Sequence, residues 1–208
     1  DKTPEVLKSL PVPHRYLLHD RNYGQSAAMF TGFRHAAGEV IATLDGDLQN
    51  DPADLPSMVE KLERGKVDIV NGVRQGRRDS WKRKISSRIA NGFRNRMTGD
   101  SVTDVGCSIR VFYRECAAKL PVWKGMHRFL PTLMKLDGYY AIEVPVSHRP
   151  RSYGQTKYGI GNRLWVGLLD TFAVRWYKMR GVRPRLGEHS PDITPEEGFS
   201  SGGSKELQ

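Results

Sequence analysis

The chain has 208 residues, and 33 Lys and Arg against 23 Asp and Glu give a formal charge of +10. Hydrophobic residues make up 38% and charged residues 27%, which excludes a wholly disordered chain and points to one ordinary globular domain. The most apolar stretch, Leu164 to Tyr177, is broken by Asp170 and Arg175, far short of the roughly 18 uninterrupted apolar residues of a membrane span.

In chain order, Asp1 and Thr3 are N-cap residue types, Pro4 suits a first turn, and EVLKSL predicts a helix. His14 to Leu18 reads as a short strand and Gln25 to Ala37 as a helix closed by Gly38. Val40 to Leu44 is an apolar run of the kind buried in parallel sheets, and it breaks at DGD. A helix from about Ala53 to Arg64 and a strand from Val67 to Val70 follow. This alternation predicts a mostly parallel sheet flanked by helices. Such a sheet normally starts with a strand, so the helix-first order predicts a domain truncated at its N-terminus. Trp81, Ile85, Ile89, Phe93 and Met97 then recur every four residues, predicting an amphipathic basic helix. Cys107 to Tyr113 alternates like a strand, Arg128 to Leu136 is helical, and Tyr140 to Val146 is another strand. SHRPRSYGQTKYGIG reads as a loop, and Ile160 to Arg180 as a second amphipathic helix carrying Trp165, Trp176 and Tyr177. By default the apolar stripes of both helices face a core. The tail after Gly187 has a disordered composition.

The opening DKTPEVLKSL lacks the pattern of a secretory signal, and Cys107 and Cys116 are too few for a disulfide framework. Both favour a reducing compartment, with the thiols as inert core groups. The charge is clustered. Residues 74–96 and 149–185 each hold nine basic side chains and one acid, so the two clusters carry +16 and the rest of the chain 10 less 16, or −6. Two basic patches on a mildly acidic protein suggest specific anionic partners.

The sharpest local signal is LDGDLQNDP, Leu44 to Pro52. Asp45 and Asp47 lie two apart at the end of an apolar strand, where extended geometry would point both carboxylates the same way. Ligands of open parallel sheets bind beyond the carboxyl ends of strands. Two hard oxygen ligands there suit Mg²⁺ or Mn²⁺ shared with phosphates. The competing reading, that these acids only cap the next helix, weighs about equally on composition alone.

A series of motifs shifts that balance: NYGQSAAMFTGFRHAAGEVIATLDGDLQNDP, NGVR, KRKISSR, TDVGCSIRVFYRE, GMHRFLP and EVPVSHRPRSYGQTKYG, spanning Asn22 to Gly159. In this order they resemble the family 2 inverting glycosyltransferases of the dolichol-phosphate mannose synthase type. The resemblance implies a GT-A-like nucleotide-sugar-binding α/β fold at 1–159. The segment 160–186 is expected to serve as a membrane-interfacial helix, and 187–208 is, by composition, a disordered tail. The resemblance implies transfer of a hexose, mannose or glucose, from a GDP- or UDP-sugar to a polyprenyl phosphate with inversion. It matches Asp45, Asp47 and Gln49 to a DxDxQ metal and diphosphate site, Asp47 also counting as catalytic. Arg74, Arg83 and Ser87 match acceptor-phosphate positions, and residues 83 and 87, four apart, share a helix face. Asp104 matches the acid near the reaction centre, and Arg149, Arg151 and Lys157 a loop over the donor diphosphate, with Thr156 where Ser is usual. His127 reads as a packing or hydrogen-bonding residue. The family's first strand and DDxSxD segment have no counterpart here, so the resemblance implies weak donor binding by this fragment, which could be inactive.

With no membrane span, the implied enzyme is peripheral at the cytoplasmic face of an anionic membrane or held by a membrane-anchoring subunit. One alternative is a GT-A transferase with a non-lipid acceptor. The alternative from another class is a basic nucleic-acid-binding module, which leaves DGDLQ without a role.

Overall fold

The computed structural model describes residues 2–75, 81–149 and 160–182; within the two helices that begin at 81 and 160 it describes side chains from 88 and from 165 onward. Its helices are α1 (Thr3–Ser9), α2 (Gln25–His35), α3 (Leu55–Arg64), α4 (Trp81–Thr98), α5 (Leu130–Leu136) and α6 (Ile160–Arg180). Its strands are β1 (Val40–Thr43), β2 (Ile69–Arg74), β3 (Arg110–Tyr113) and β4 (Ala141–Val146). The predicted helix from Ala53 begins instead with a single 3₁₀ turn at Pro52–Asp54, which Asp51 caps by accepting from the Ala53 N–H at 3.1 Å.

α1 starts at Thr3 behind Lys2, without a side-chain cap, and buries no residue. The strand expected at His14–Leu18 does not form. Tyr16, Leu17 and Leu18 are exposed there and among the described residues no neighbouring strand offers a ladder, and an alternating pattern without a partner has nothing to hold it extended.

The four strands form one sheet in the order β1-β3-β2-β4. β2 and β4 pair in parallel, Ile69 opposite Ala141 through Arg74 opposite Val146. β3 runs antiparallel to both neighbours, with Ile41 and Ile69 each opposite Phe112. Three strands therefore share a direction and β3 opposes them. Alternation along β3 feeds both faces. Ile109 and Val111 pack with Val70, Val144 and Val146 under Met58 and Leu62, the i,i+4 pair of α3. Phe112 packs with Ile41 and Ile69 under Phe33 of α2, Leu130 and Leu133 of α5 and Val174 of α6. Helices thus cover both faces, the α/β layering expected.

α6 is turned against its composition. Asp170, Thr171 and Val174 are buried, whereas Trp165, Leu169, Phe172, Trp176 and Met179 are 48–69% exposed. These five positions recur at helical period and form one outward stripe. Ile89 and Phe93 of α4 join it at 68% and 42% exposure, Phe93 meeting Phe172 edge-on at 6.4 Å between ring centroids. The expectation that these stripes face a core is overturned for Ile89, Phe93, Trp165 and Trp176, whereas Met97 is half-buried and Tyr177 packs on the core beside Val174; polar contacts add to that inward anchoring. Arg175 and Lys178 donate to the carbonyls of Met97 and Thr98 at 3.3 and 3.0 Å, closing the C-terminal end of α4 with cations.

Gly72, in the NGVR segment of β2, has no room for a side chain. An added Cβ would lie 2.5 Å from Ile109 Cγ2, 2.8 Å from Val146 Cγ2 and 3.0 Å from Cys107 Sγ. Gly72→Ala is expected to lower stability by about 1–3 kcal/mol through overpacking, read as a shift of the urea midpoint without a change of slope.

Candidate active site

The strand ends gather the polar residues. β1 stops at Thr43, and residues 46–47 turn, so this turn, not strand alternation, sets the directions of Asp45 and Asp47. Asp45 is exposed and its Oδ1 accepts from Gln25 Nε2 at 3.0 Å. Asp47 Oδ1 accepts from the Gln49 N–H at 3.2 Å. Leu48 between them holds φ 62 and is 63% exposed, a left-handed backbone state uncommon for a bulky residue and of the kind concentrated at functional loops. Asn50 fastens the end of the loop, donating to Ser108 Oγ at 2.6 Å, while Thr43 Oγ1 donates to the Ser108 carbonyl at 2.7 Å. A groove of about 450 Å³ runs from this loop between α2 and β1, lined by Gln25, Met29, Phe33, Ile41, Thr43 and Asp45.

Among the described residues no three His, Cys, Asp or Glu side chains converge on one point; the donors available to a divalent ion at the open strand end are the Asp45 and Asp47 carboxylates. That is the donor set Mg²⁺ accepts when water and substrate phosphates complete its shell.

At the end of β2 the structure joins two residues that the motif reading assigned to different roles. Arg74 Nε donates to Asp104 Oδ2 at 2.8 Å and Nη2 to Oδ1 at 2.7 Å, and the Arg74 backbone N–H adds a bond to Oδ2 at 3.2 Å. Both side chains are more than four-fifths buried. A Cβ on Gly106 would lie 2.7 Å from Arg74 Nη2, so the glycine leaves space for the bidentate fork. The loop carrying Asp104 is held from two sides. Glu143 of β4 accepts from Thr103 N–H and Oγ1 at 2.9 and 2.7 Å. From α4, Asn91 donates to the Thr103 carbonyl at 2.9 Å and Arg94 to that of Val102 at 2.6 Å.

The start of the arginine-rich segment is docked on the acidic loop. The Arg149 N–H donates to the Gln49 carbonyl at 2.9 Å, Asn50 bridges His148, and the Arg149 guanidinium pairs with Asp51. The Ala53 N–H and Arg149 together hold the Asp51 carboxyl below its usual range. Ser147 N–H adds a bond to Asp54 at 2.8 Å. Arg151 and Lys157 lie outside the described residues. Arg83 and Ser87 sit on α4, one turn apart, but their side chains are outside the description.

Other residues inside the quoted motifs, to which the motif reading gave no metal, donor or acceptor role, form contacts of their own. Ser26, at the start of α2, accepts from the Gly125 N–H at 2.9 Å and is hydrogen-bonded to His127 Nδ1 at 2.9 Å. Burial, with Arg128 and Arg110 adding to it, lowers His127 to about 4. It is a neutral hydrogen-bonding residue, as the sequence suggested. Arg110 of β3 is buried beneath the site. Both cysteines are buried and their thiols are pushed up by that burial, consistent with inert core groups.

The family model for glycosyl transferase family 2 matches residues 1–120. The chain belongs to this glycosyltransferase family. It is 40% identical over 144 residues to an undecaprenyl-phosphate 4-deoxy-4-formamido-L-arabinose transferase of Edwardsiella ictaluri, covering 69% of this chain and 44% of that protein. It is 40% identical over 167 residues to a dodecaprenyl-phosphate galacturonate synthase of Rhizobium johnstonii, covering 79% of this chain and 49% of that one. The chain thus spans about half the length of these curated relatives. Among solved structures, glucosyl-3-phosphoglycerate synthase of Mycobacterium tuberculosis with Mn²⁺, UDP-glucose and glycerol 3-phosphate superposes with a TM-score of 0.51 at 16% identity, covering 85% of this chain and 58% of that chain. The same enzyme with Mg²⁺ and UDP gives 0.52 at 18%, covering 85% and 57%. The shared architecture is the GT-A-like fold.

A depressed His127 makes the family 2 domain sensitive to mild acid. The unfolded chain takes up a proton near the ordinary 6.5 and the folded chain only near 4, so stability falls as pH drops through that interval. Asp100, where hydrogen bonds from Thr132 and Lys135 outweigh burial and lower the carboxyl, loses its contribution only below the ordinary 3.8. Thermal melts of wild type and His127→Gln between pH 7 and 4 should therefore diverge in slope, the variant losing less stability across this window.

Proposed function

We propose that this chain is the catalytic part of a transferase that moves a sugar from a nucleoside diphosphate to a polyprenyl phosphate with inversion. The observation that carries the reading is the docking of the arginine-rich segment on the acidic loop: Arg149 is bonded through its backbone to Gln49 and through its guanidinium to Asp51, which sets cationic and metal-ligand side chains side by side. The names of the two 40% identical relatives support a polyprenyl phosphate acceptor. GDP- and UDP-sugars are both retained as donors. Mannose and glucose are the sugars that the motifs implied, while the relatives' names specify a formamido-arabinose and galacturonate, so the proposal is held at the class of nucleotide sugar.

In the proposed step, a phosphate oxygen of the acceptor forms a bond to the anomeric carbon, and the bond from that carbon to the diphosphate oxygen breaks, its electron pair leaving with the nucleoside diphosphate. A phosphate monoester has a second pKa of about 6 and is mostly dianionic near neutrality, so no strong general base is required. Asp45, Asp47 and Gln49 would hold Mg²⁺ or Mn²⁺. When bound, that ion supplies positive charge where the leaving group gains negative charge. Arg149, with Arg151 and Lys157 of the same segment, adds charge for the diphosphate. Arg74, braced on Asp104, and Arg83 and Ser87 of α4 would receive the acceptor phosphate. Asp104 thereby orients an arginine and need not remove a proton.

A long-tailed acceptor requires a membrane, and the exposed stripe of α6 with Ile89 and Phe93 supplies an apolar surface, with the exposed cations Arg88 and Arg180 on the same two helices. No described helix is long and apolar enough to cross a bilayer. The reading places the enzyme on the cytoplasmic face, bound peripherally or through a membrane-anchoring subunit.

Two measurements test this reading. With radiolabelled UDP- and GDP-sugars, transfer to a short polyprenyl phosphate should require Mn²⁺ or Mg²⁺. Asp47→Ala should lower it at least about a hundredfold, the scale of a lost charge-stabilising group; undiminished metal-dependent transfer by the variant would falsify the metal assignment. In sedimentation with vesicles, anionic liposomes should retain the wild type, and Trp165→Ser/Trp176→Ser should weaken retention at least about tenfold. Equal retention by neutral vesicles would remove the anionic surface from the account.

A further inference from the structure

β3 brings one charge into the interior. Arg110 is 4% exposed, opposite Thr43 on β1 and Asn71 on β2. By strand alternation its side chain lies on the same sheet face as Ile41, Ile69 and Phe112, one step closer to the strand ends that bear the site. Burying a guanidinium is costly unless opposite charge and hydrogen-bond acceptors stand nearby. Arg110 Nη2 donates to the carbonyl of Val105, the residue after Asp104, at 3.3 Å. Asp45 follows Thr43 by two residues at the end of β1. Burial draws the Arg110 guanidinium down, and the carboxylates of Asp45 and Asp104 are among the charges that oppose this. The cation therefore stands behind both acids.

Charge accounting gives this placement a consequence. Asp45, Asp47 and Asp104 bring three negative charges, Arg74 and Arg110 two positive ones, a local balance of −1. A divalent ion turns that balance to +1, the sign that retains a diphosphate. Without Arg110 the loaded balance would be zero, and the bare acids would hold a cation more tightly.

We propose that Arg110 is a positioning residue of the site: a permanent buried counter-charge behind Asp45 and Asp104 that restrains binding of the bare metal ion and makes the metal-loaded site cationic for the donor diphosphate. The inference rests on the metal reading above and extends it to a residue that touches neither metal nor substrate. Asn71 gives it an independent handle. It is 3% exposed, faces Arg110 across the ladder, and neither polar atom of its amide has a partner among the described residues. An aspartate there would cancel the Arg110 charge with little change of shape.

The experiment measures two affinities of the chain, Mn²⁺ alone by electron paramagnetic resonance and UDP or GDP at saturating Mn²⁺ by calorimetry. Arg110→Met should bind bare Mn²⁺ at least about fivefold more tightly and the nucleoside diphosphate at least about fivefold more weakly, as expected for losing one nearby charge. Arg110→Lys, which keeps the charge, should restore both toward wild type. Opposite signs are the signature, because a merely structural role would weaken both together. Should Arg110→Met fail to fold, Asn71→Asp should give the same opposed pair of shifts. Equal weakening of both ligands, or no change in either, would overturn the role of Arg110. Failure of the wild-type chain to bind Mn²⁺ would instead overturn the metal reading beneath it.

Discussion

The bidentate contact between Arg74 and Asp104 is the interaction on which the arrangement of the site depends. It closes the exit of β2 against the loop that enters β3, two segments 30 residues apart in sequence. Removing either partner would leave the other charge more than four-fifths buried without its mate, a situation typically worth several kcal/mol. The pair is in turn braced by Glu143 from β4 and by Asn91 and Arg94 from α4. The helix proposed to hold the acceptor phosphate is thus hydrogen-bonded directly to the loop that carries Asp104. A change in the pose of α4 cannot leave that loop untouched.

A second constraint comes from the reversal of β3. A parallel strand in its place would reach the site from below and leave its last residues at the strand ends. An antiparallel one enters from the site side, so its first residue, Arg110, is the one lodged beneath the acids. The direction of one strand thus decides which side chain is buried at the end of β3 nearest the acidic loop. The same reversal lets Ser108, just before β3, serve the Asn50 and Thr43 side chains together.

Much of this was legible in the sequence where chemistry is written locally. The apolar run VIAT stopping before DGD located the end of β1, and the helical stretch from about Ala53 to Arg64 located α3. Motif order named Asp45, Asp47, Gln49, Arg74 and Asp104 as site candidates. What was not legible depends on pairing between distant segments. Arg74 and Asp104 lie in separate motifs, and nothing in either spells a salt bridge. Arg110 stands inside an alternating strand pattern, where one charge reads as the solvent side; the helices covering that face make it interior. The outward stripe of α6 failed for the related reason that amphipathicity reports two faces but not which of them meets protein. Asp170 and Thr171, buried against the body of the domain, decided it.

The zipper between residues 147–149 and 49–54 has a kinetic meaning beyond its bonds. Because Arg149 is fastened by backbone and side chain to the acidic loop, Arg151 is held by covalent reach alone within about 7 Å of that anchor, and Lys157 within about 29 Å. On the proposed reading, a diphosphate held through a metal at Asp45 and Asp47 would meet both cations as tethered partners, independent of how dilute the protein is. Arg149 would then exchange its Asp51 carboxylate for a phosphate on the same tethered arm.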